Sequence, residues 1–90
     1  MALSVRFLKI EYNKEAVRNL EKISLSDRNR IFKRISLLKE DPDLGKQLIG
    51  PLKGLRSLRI GNYRVIYKKE THIITVIIIA IGHRKNIYKK

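Results

Sequence analysis

The run Leu58-Arg59-Ile60-Gly61-Asn62-Tyr63-Arg64-Val65-Ile66-Tyr67 decides the fold. Gly61-Asn62 lies between two β-rich stretches, and both residue types tolerate the positive φ that two-residue hairpin turns require. With that loop length Ile60 faces Tyr63 and Arg59 faces Arg64 across the ladder. Facing Cβ atoms are only about 4.5–5.5 Å apart, where like charges repel. Two opposed arginines therefore ask for an anion, and phosphate suits the guanidinium fork. The alternation assigns Leu58, Ile60, Tyr63, Val65 and Tyr67 to a face that can bed helices. Ser57, Arg59, Arg64, Ile66 and Lys68 fall on the other face, as a cationic concavity.

Upstream, residues 3–11 alternate loosely (Leu3, Val5 and Phe7 inward) and read as a first strand. Asn13 is placed to cap a helix through Ile23, with Ala16, Val17, Leu20 and Ile23 as its apolar stripe. Lys14, Arg18 and Lys22 form a basic line on its other side, either a solvated face or an RNA contact. Ser24 or Ser26 starts a second helix, lined by Ile31, Ile35 and Leu38, which must stop near Asp41-Pro42 because the residue before proline disfavours helix. The two helices make an αα-hairpin. Residues 41–54, with two prolines and three glycines, read as a long loop. Strands follow at about 55–60 and 63–69, then a turn around Glu70-Thr71. The run His72 to Ile81 is apolar on both faces and β-branched, as expected of a central strand covered on both sides. Gly82 ends it, leaving His83–Lys90 as a short basic tail. Tyr63 and Tyr67 are expected in the core and His72 at an exposed turn. The expected fold is α+β in a single domain over residues 1–90, with about four antiparallel-rich strands in the order β-α-α-β-β-β.

Charge narrows the function. The 90-residue chain carries a formal net charge of +13, unevenly spread. Residues 1–45 hold ten Lys/Arg against seven Asp/Glu, whereas residues 46–90 hold eleven against one, Glu70. Such asymmetry points to nucleic acid, another anionic surface or an acidic protein. With no cysteine, disulfides and thiolate chemistry are excluded. Two histidines in a cationic half do not suggest a metal site, so neither metal nor cofactor is expected. No signal peptide is visible, and the run Ile73 to Ile81 is far below the roughly 20 residues a membrane helix needs. A cytoplasmic protein is the expectation.

The segment Leu52-Lys53-Gly54-Leu55-Arg56-Ser57-Leu58-Arg59-Ile60-Gly61-Asn62-Tyr63-Arg64-Val65-Ile66-Tyr67, the Ile-rich strand and the closing Gly82-His83-Arg84-Lys85-Asn86-Ile87-Tyr88 together resemble the RelE/ParE superfamily of toxins from toxin–antitoxin pairs. The likeness covers nearly the whole chain. It implies a toxin of the RelE branch, a ribosome-dependent endoribonuclease that cleaves messenger RNA in the A site without metal; the alternative is a ParE-branch toxin, which inhibits DNA gyrase and lacks the nuclease residues. An inactive RNA-binding member of the fold is a third alternative. The resemblance carries RelE-branch functional positions onto Arg59, Arg64, Arg84 and Tyr88, with His83 placed as a further candidate for proton transfer. Lys53, Arg56, Lys85 and Lys89 are the accompanying RNA-binding candidates. Ser57 departs from the pattern, since several members carry a second basic residue there. The implied partners are a cognate acidic, RelB-like antitoxin, the ribosome and mRNA, with no membrane.

Overall fold

Two side-chain caps start the helices. In the computed structural model, which describes residues 7–83 and 85, Asn13 Oδ1 accepts the Ala16 N–H at 2.9 Å and opens α1, Lys14–Glu21. Ser24 Oγ does the same for Asp27 N–H at 3.4 Å and opens α2, Leu25–Ser36. Each cap satisfies one of the orphan donors at a helix start, typically worth about 1 kcal/mol. A 3₁₀ turn, Leu37–Lys39, ends α2 just before Asp41-Pro42. Ala16, Leu20, Ile31, Ile35 and Leu38 turn inward and are buried.

Among the described residues five strands form one mixed sheet, against the expected count of about four. They are β1 (Lys9–Tyr12), β2 (Lys46–Gln47), β3 (Arg56–Ile60), β4 (Tyr63–Glu70) and β5 (Thr75–His83), in spatial order β1-β5-β4-β3-β2. β1 runs parallel to β5; every other pairing is antiparallel. The first strand is shorter than residues 3–11, of which residues 3–6 lie outside the described part of the chain. Two short elements occupy the expected loop 41–54: β2, which pairs Lys46 with Ser57 and Gln47 with Arg56, and a 3₁₀ turn at Gly50–Leu52. A two-residue strand has no period of its own, so only its pairing with β3 defines it. α1 also closes two residues before Ile23, whose backbone N–H bonds the Leu20 carbonyl.

The β3–β4 hairpin has the expected register, with Ile60 opposite Tyr63 and Arg59 opposite Arg64. Among the described residues at this turn only Gly61 has positive φ (+57°). That is the pattern of a type II′ turn, which needs glycine at its first central position. Leu58, Ile60, Val65 and Tyr67 join Val76, Ile78 and Ile81 in the core beneath the helices.

The last strand differs most from its expected bounds. His72 and Ile73 belong to a 3₁₀ turn, Thr71–Ile73, and Ile74 takes a left-handed conformation (φ 50°, ψ 46°) before β5 begins at Thr75. Gly82 and His83, expected to end the strand and start a tail, lie within it. A bulge then resets its pairing: Ile66 faces Ala80 and Tyr67 faces Ile78, so Ile79 is the extra residue. Beyond β1, the Ile81 N–H is taken by Asn19 Oδ1 of α1 at 2.8 Å, a side chain standing in for a neighbouring strand. Coverage on both sides of β5 is uneven. Val76, Ile78 and Ile81 are buried against the helices, whereas Ile77, Ile79 and Ala80 are half-buried.

Candidate functional site

Alternation along the hairpin sorts its cations into two groups. Arg59 and Arg64 share the sheet face away from the helices with Ser57 and Ile66. Arg56, opposite Tyr67, and Lys69 two residues beyond Tyr67 share the helix side. These two groups have different electrostatic surroundings.

On the helix side the positive charge is matched. Arg56 Nη1 donates to the Gly45 carbonyl at 2.6 Å and the Asp43 carbonyl at 3.2 Å, and its Nη2 lies 3.2 Å from Asp43 Oδ1. Lys69 Nζ binds the same carboxylate. The Lys69 ammonium, with help from Arg56, holds the Asp43 carboxyl below the usual carboxylate range. Tyr67 completes this clamp on the loop before β2. Its hydroxyl donates to the Pro42 carbonyl and accepts from the Gly45 N–H, both at 2.8 Å, and burial pushes the phenol pKa up. A Cβ on Gly45 would lie 2.6 Å from Tyr67 Cε1, so only glycine fits there. Arg56, expected to bind RNA, is therefore turned inward as a structural clamp, with its side chain 16% exposed. A cleft of about 590 Å³ borders the same clamp along residues 47–50, residues 53–56 and Lys69. Its two best-anchored cations, Arg56 and Lys69, are already neutralised by Asp43. Lys53, on its wall, is exposed.

On the opposite face Lys68 is paired with Glu70 at 3.1 Å, whereas the charges of Arg59 and Arg64 are unmatched among the described residues. Arg64 Nη1 donates to Ser57 Oγ at 3.2 Å, and Arg59 Nε donates to the Gly61 carbonyl at 3.3 Å. Among the described residues neither arginine makes an ion pair. Gly82 faces Arg64 across β4–β5. Ser57 is 3% exposed, so its hydroxyl fixes the inner end of the arginine. The sequence marked Ser57 only as a departure from a basic position. The hairpin register already placed it diagonal to Arg64 and contained the signal.

His83 is not part of this face. It pairs with Tyr63, on the helix side, and the two rings meet edge to face with centroids 6.1 Å apart. The Tyr63 hydroxyl in turn donates to Asp27 Oδ2 of α2 at 3.1 Å. Burial and that carboxylate both push the Tyr63 phenol up. Strand parity from the buried Ile81 puts His83 on the same side, away from Arg64. Lys85 is exposed in a turn. Arg84, Tyr88 and Lys89 lie outside the described residues.

Among the described residues no group of three or more His, Cys, Asp or Glu is arranged to hold a metal ion. No helix there is long and apolar enough to cross a membrane.

A family model described as the ParE toxin of the type II toxin–antitoxin system, parDE, matches residues 10–88. Toxin RelG of Mycobacterium tuberculosis is 37% identical over 54 residues, covering 60% of this chain and 62% of RelG, so the match spans under two thirds of that relative. In the toxin–antitoxin complex RelBE2 of M. tuberculosis, a chain superposes with a TM-score of 0.81 at 28% identity, over 89% of this chain and 100% of that one. A chain of the ParDE system of P. aeruginosa shares the fold with a TM-score of 0.71 at 13% identity, over 86% and 96% of the two chains. The fold is thus common to both branches, and the side chains on it must separate them. With the family match running over residues 10–88, this chain belongs to the ParE toxin family of type II toxin–antitoxin systems, within the RelE/ParE superfamily.

Proposed function

We propose that this toxin is a ribosome-dependent endoribonuclease that cleaves mRNA in the A site. The observation that carries the reading is Arg64, anchored through Ser57 on a face where, among the described residues, no carboxylate pairs with it. An anchored, unneutralised guanidinium suits a phosphate that gains charge during reaction.

In the proposed reaction the RNA 2′-OH attacks the adjacent phosphorus in line. The P–O5′ bond breaks, the 2′ proton is released, and a proton is delivered to the departing 5′ oxygen. The products are a cyclic phosphate and a 5′-OH. Arg64 stabilises the extra negative charge on the phosphoryl oxygens, because it stays charged and grips two of them. From the resemblance, Arg84 is assigned to the leaving oxygen. Tyr88 is assigned a phenol hydrogen bond at the 2′-OH or a ring on which a splayed base stacks. His83, packed on Tyr63, receives no role in the chemistry. The ribosome supplies substrate positioning. The partner is a cognate RelB-like antitoxin, as in the RelBE2 complex, and an acidic segment of it complements the +13 charge.

One observation favours a second reading, a non-enzymatic DNA gyrase inhibitor: the matching family description is that of ParE. Primer extension on mRNA from a translating extract separates the two. Codon-located cuts that vanish with Arg64→Ala support the nuclease. Intact mRNA alongside blocked supercoiling by gyrase overturns it.

A further inference from the structure

Arg59 and Arg64 face each other across the ladder, yet their guanidiniums point apart. Arg64 leans back along β3 to Ser57, whereas Arg59 leans forward to the Gly61 carbonyl. Splaying relieves the repulsion of two facing cations. It also creates two separate positions for anions instead of one.

A third guanidinium comes to the same turn from a different element. Arg30 of α2 abuts the turn: a Cβ built on Gly61 would lie 3.4 Å from Arg30 Nη1. The carboxylate beside Arg30 is Asp27, at 3.8 Å from Nη2, and the other Asp27 oxygen already accepts the Tyr63 hydroxyl. Among the described residues Arg30 therefore has one distant, partly engaged carboxylate, and Arg59 has none. Between them the turn backbone is bare, since Gly61 has no side chain and its φ of +57° disfavours any other residue.

We propose that Arg30, Arg59 and the Gly61 turn form a second phosphate-binding subsite, which holds the phosphate of the RNA strand next to the one at Arg64. This rests on the RNA-cleavage reading above. A contact of this kind carries no base information; it fixes the register of the strand over the reacting position. Arg30 is then a positioning residue, and Arg59 acts beside the scissile phosphate rather than on it.

The test uses the full chain and a short single-stranded RNA that is 2′-O-methylated at every position and so cannot be cleaved. Binding is followed by fluorescence anisotropy across a range of salt concentrations. Arg30→Gln is expected to weaken binding several-fold and to reduce the slope of log K against log salt by about 0.7, the value for one lost phosphate contact on a single strand. Arg30→Lys keeps the charge without the fork and recovers part of the affinity. Because Arg30 and Arg59 hold one phosphate, the double variant Arg30→Gln/Arg59→Gln loses less than the product of the two single losses. Equal affinity and slope for Arg30→Gln and the native chain overturn the subsite, as does a double variant whose losses simply multiply. Thermal melting of each variant checks that the fold is intact. Cleavage in a translating extract is scored separately. If the native chain leaves mRNA whole there, the cleavage reading fails while the anisotropy result still decides the subsite.

Discussion

The two sheet faces of the β3–β4 hairpin carry the same kinds of side chain to opposite ends. Arg56 and Lys69, on the helix side, converge on Asp43 and on the Gly45 and Asp43 carbonyls. Arg59 and Arg64, on the other side, have a hydroxyl and a turn carbonyl but, among the described residues, no carboxylate. A basic residue type in a strand says little about function. Whether an acid lies within reach separates a cation that holds the fold from one kept for a ligand.

Arg64→Ala is the most severe way to sharpen this contrast. Removing one well-placed stabilising donor costs about 10²–10³ in rate, or roughly 2.7–4 kcal/mol. mRNA cleavage in a translating extract is expected to fall by that factor, while the melting temperature stays near the native value. Arg56→Ala should invert the outcome. Losing charge-assisted hydrogen bonds of this kind costs roughly 1.5–3 kcal/mol per bond, so urea unfolding shifts clearly. Cleavage at a temperature where the variant is folded persists. Were Arg56→Ala to abolish cleavage without lowering stability, the division between the two faces would break.

Ser57→Ala is expected to act between these limits. The hydrogen bond it removes is worth about 0.5–1.5 kcal/mol, up to roughly tenfold in rate if Arg64 loses its orientation. Ser57→Thr, which keeps the hydroxyl, should recover much of the activity; failure of that rescue in a variant that still folds would argue for packing alone. A smaller effect follows from pH. The Asp43 pKa is lowered in the fold, so its contribution to stability is present above the ordinary carboxylate pKa of about 3.9 and is lost as pH falls through the folded value. Asp43→Asn is expected to flatten the acid limb of the stability curve below about pH 4. The change is modest and salt-sensitive because the Asp43 side chain is 57% exposed. Smallest of all, His83→Ala should leave cleavage and its pH profile unchanged, since the ring lies beside Tyr63 and away from Arg64. A lost limb in that profile would return His83 to the chemistry.

Much of the fold was legible because it is local. Gly61-Asn62 and the flanking alternation set the Arg59–Arg64 register, Asn13 marked the first helix start, and Ser24 was one of two serines offered for the second. β2 was invisible because Lys46-Gln47 is a strand only by virtue of its partner. The start of β5 was obscured by Ile73 and Ile74, whose side chains favour strand although their backbone turns. In the candidate site, Arg64 was singled out by its facing arginine, whereas the proposed role of Arg30 had no local signal, since nothing in α2 indicates that it meets a turn thirty-one residues later.

The sequence by itself determined the hairpin, its turn, the helix caps and the excess of positive charge, because periodicity and capping act over a few residues. Only the tertiary structure decided which cations are neutralised. Asp43 reaches Arg56 and Lys69 across 13 and 26 residues. Charge pairing depends on distance in space, and the loop closure that brings Asp43 to the sheet is driven by burial of Tyr67 and the core, which no local pattern around the arginines encodes.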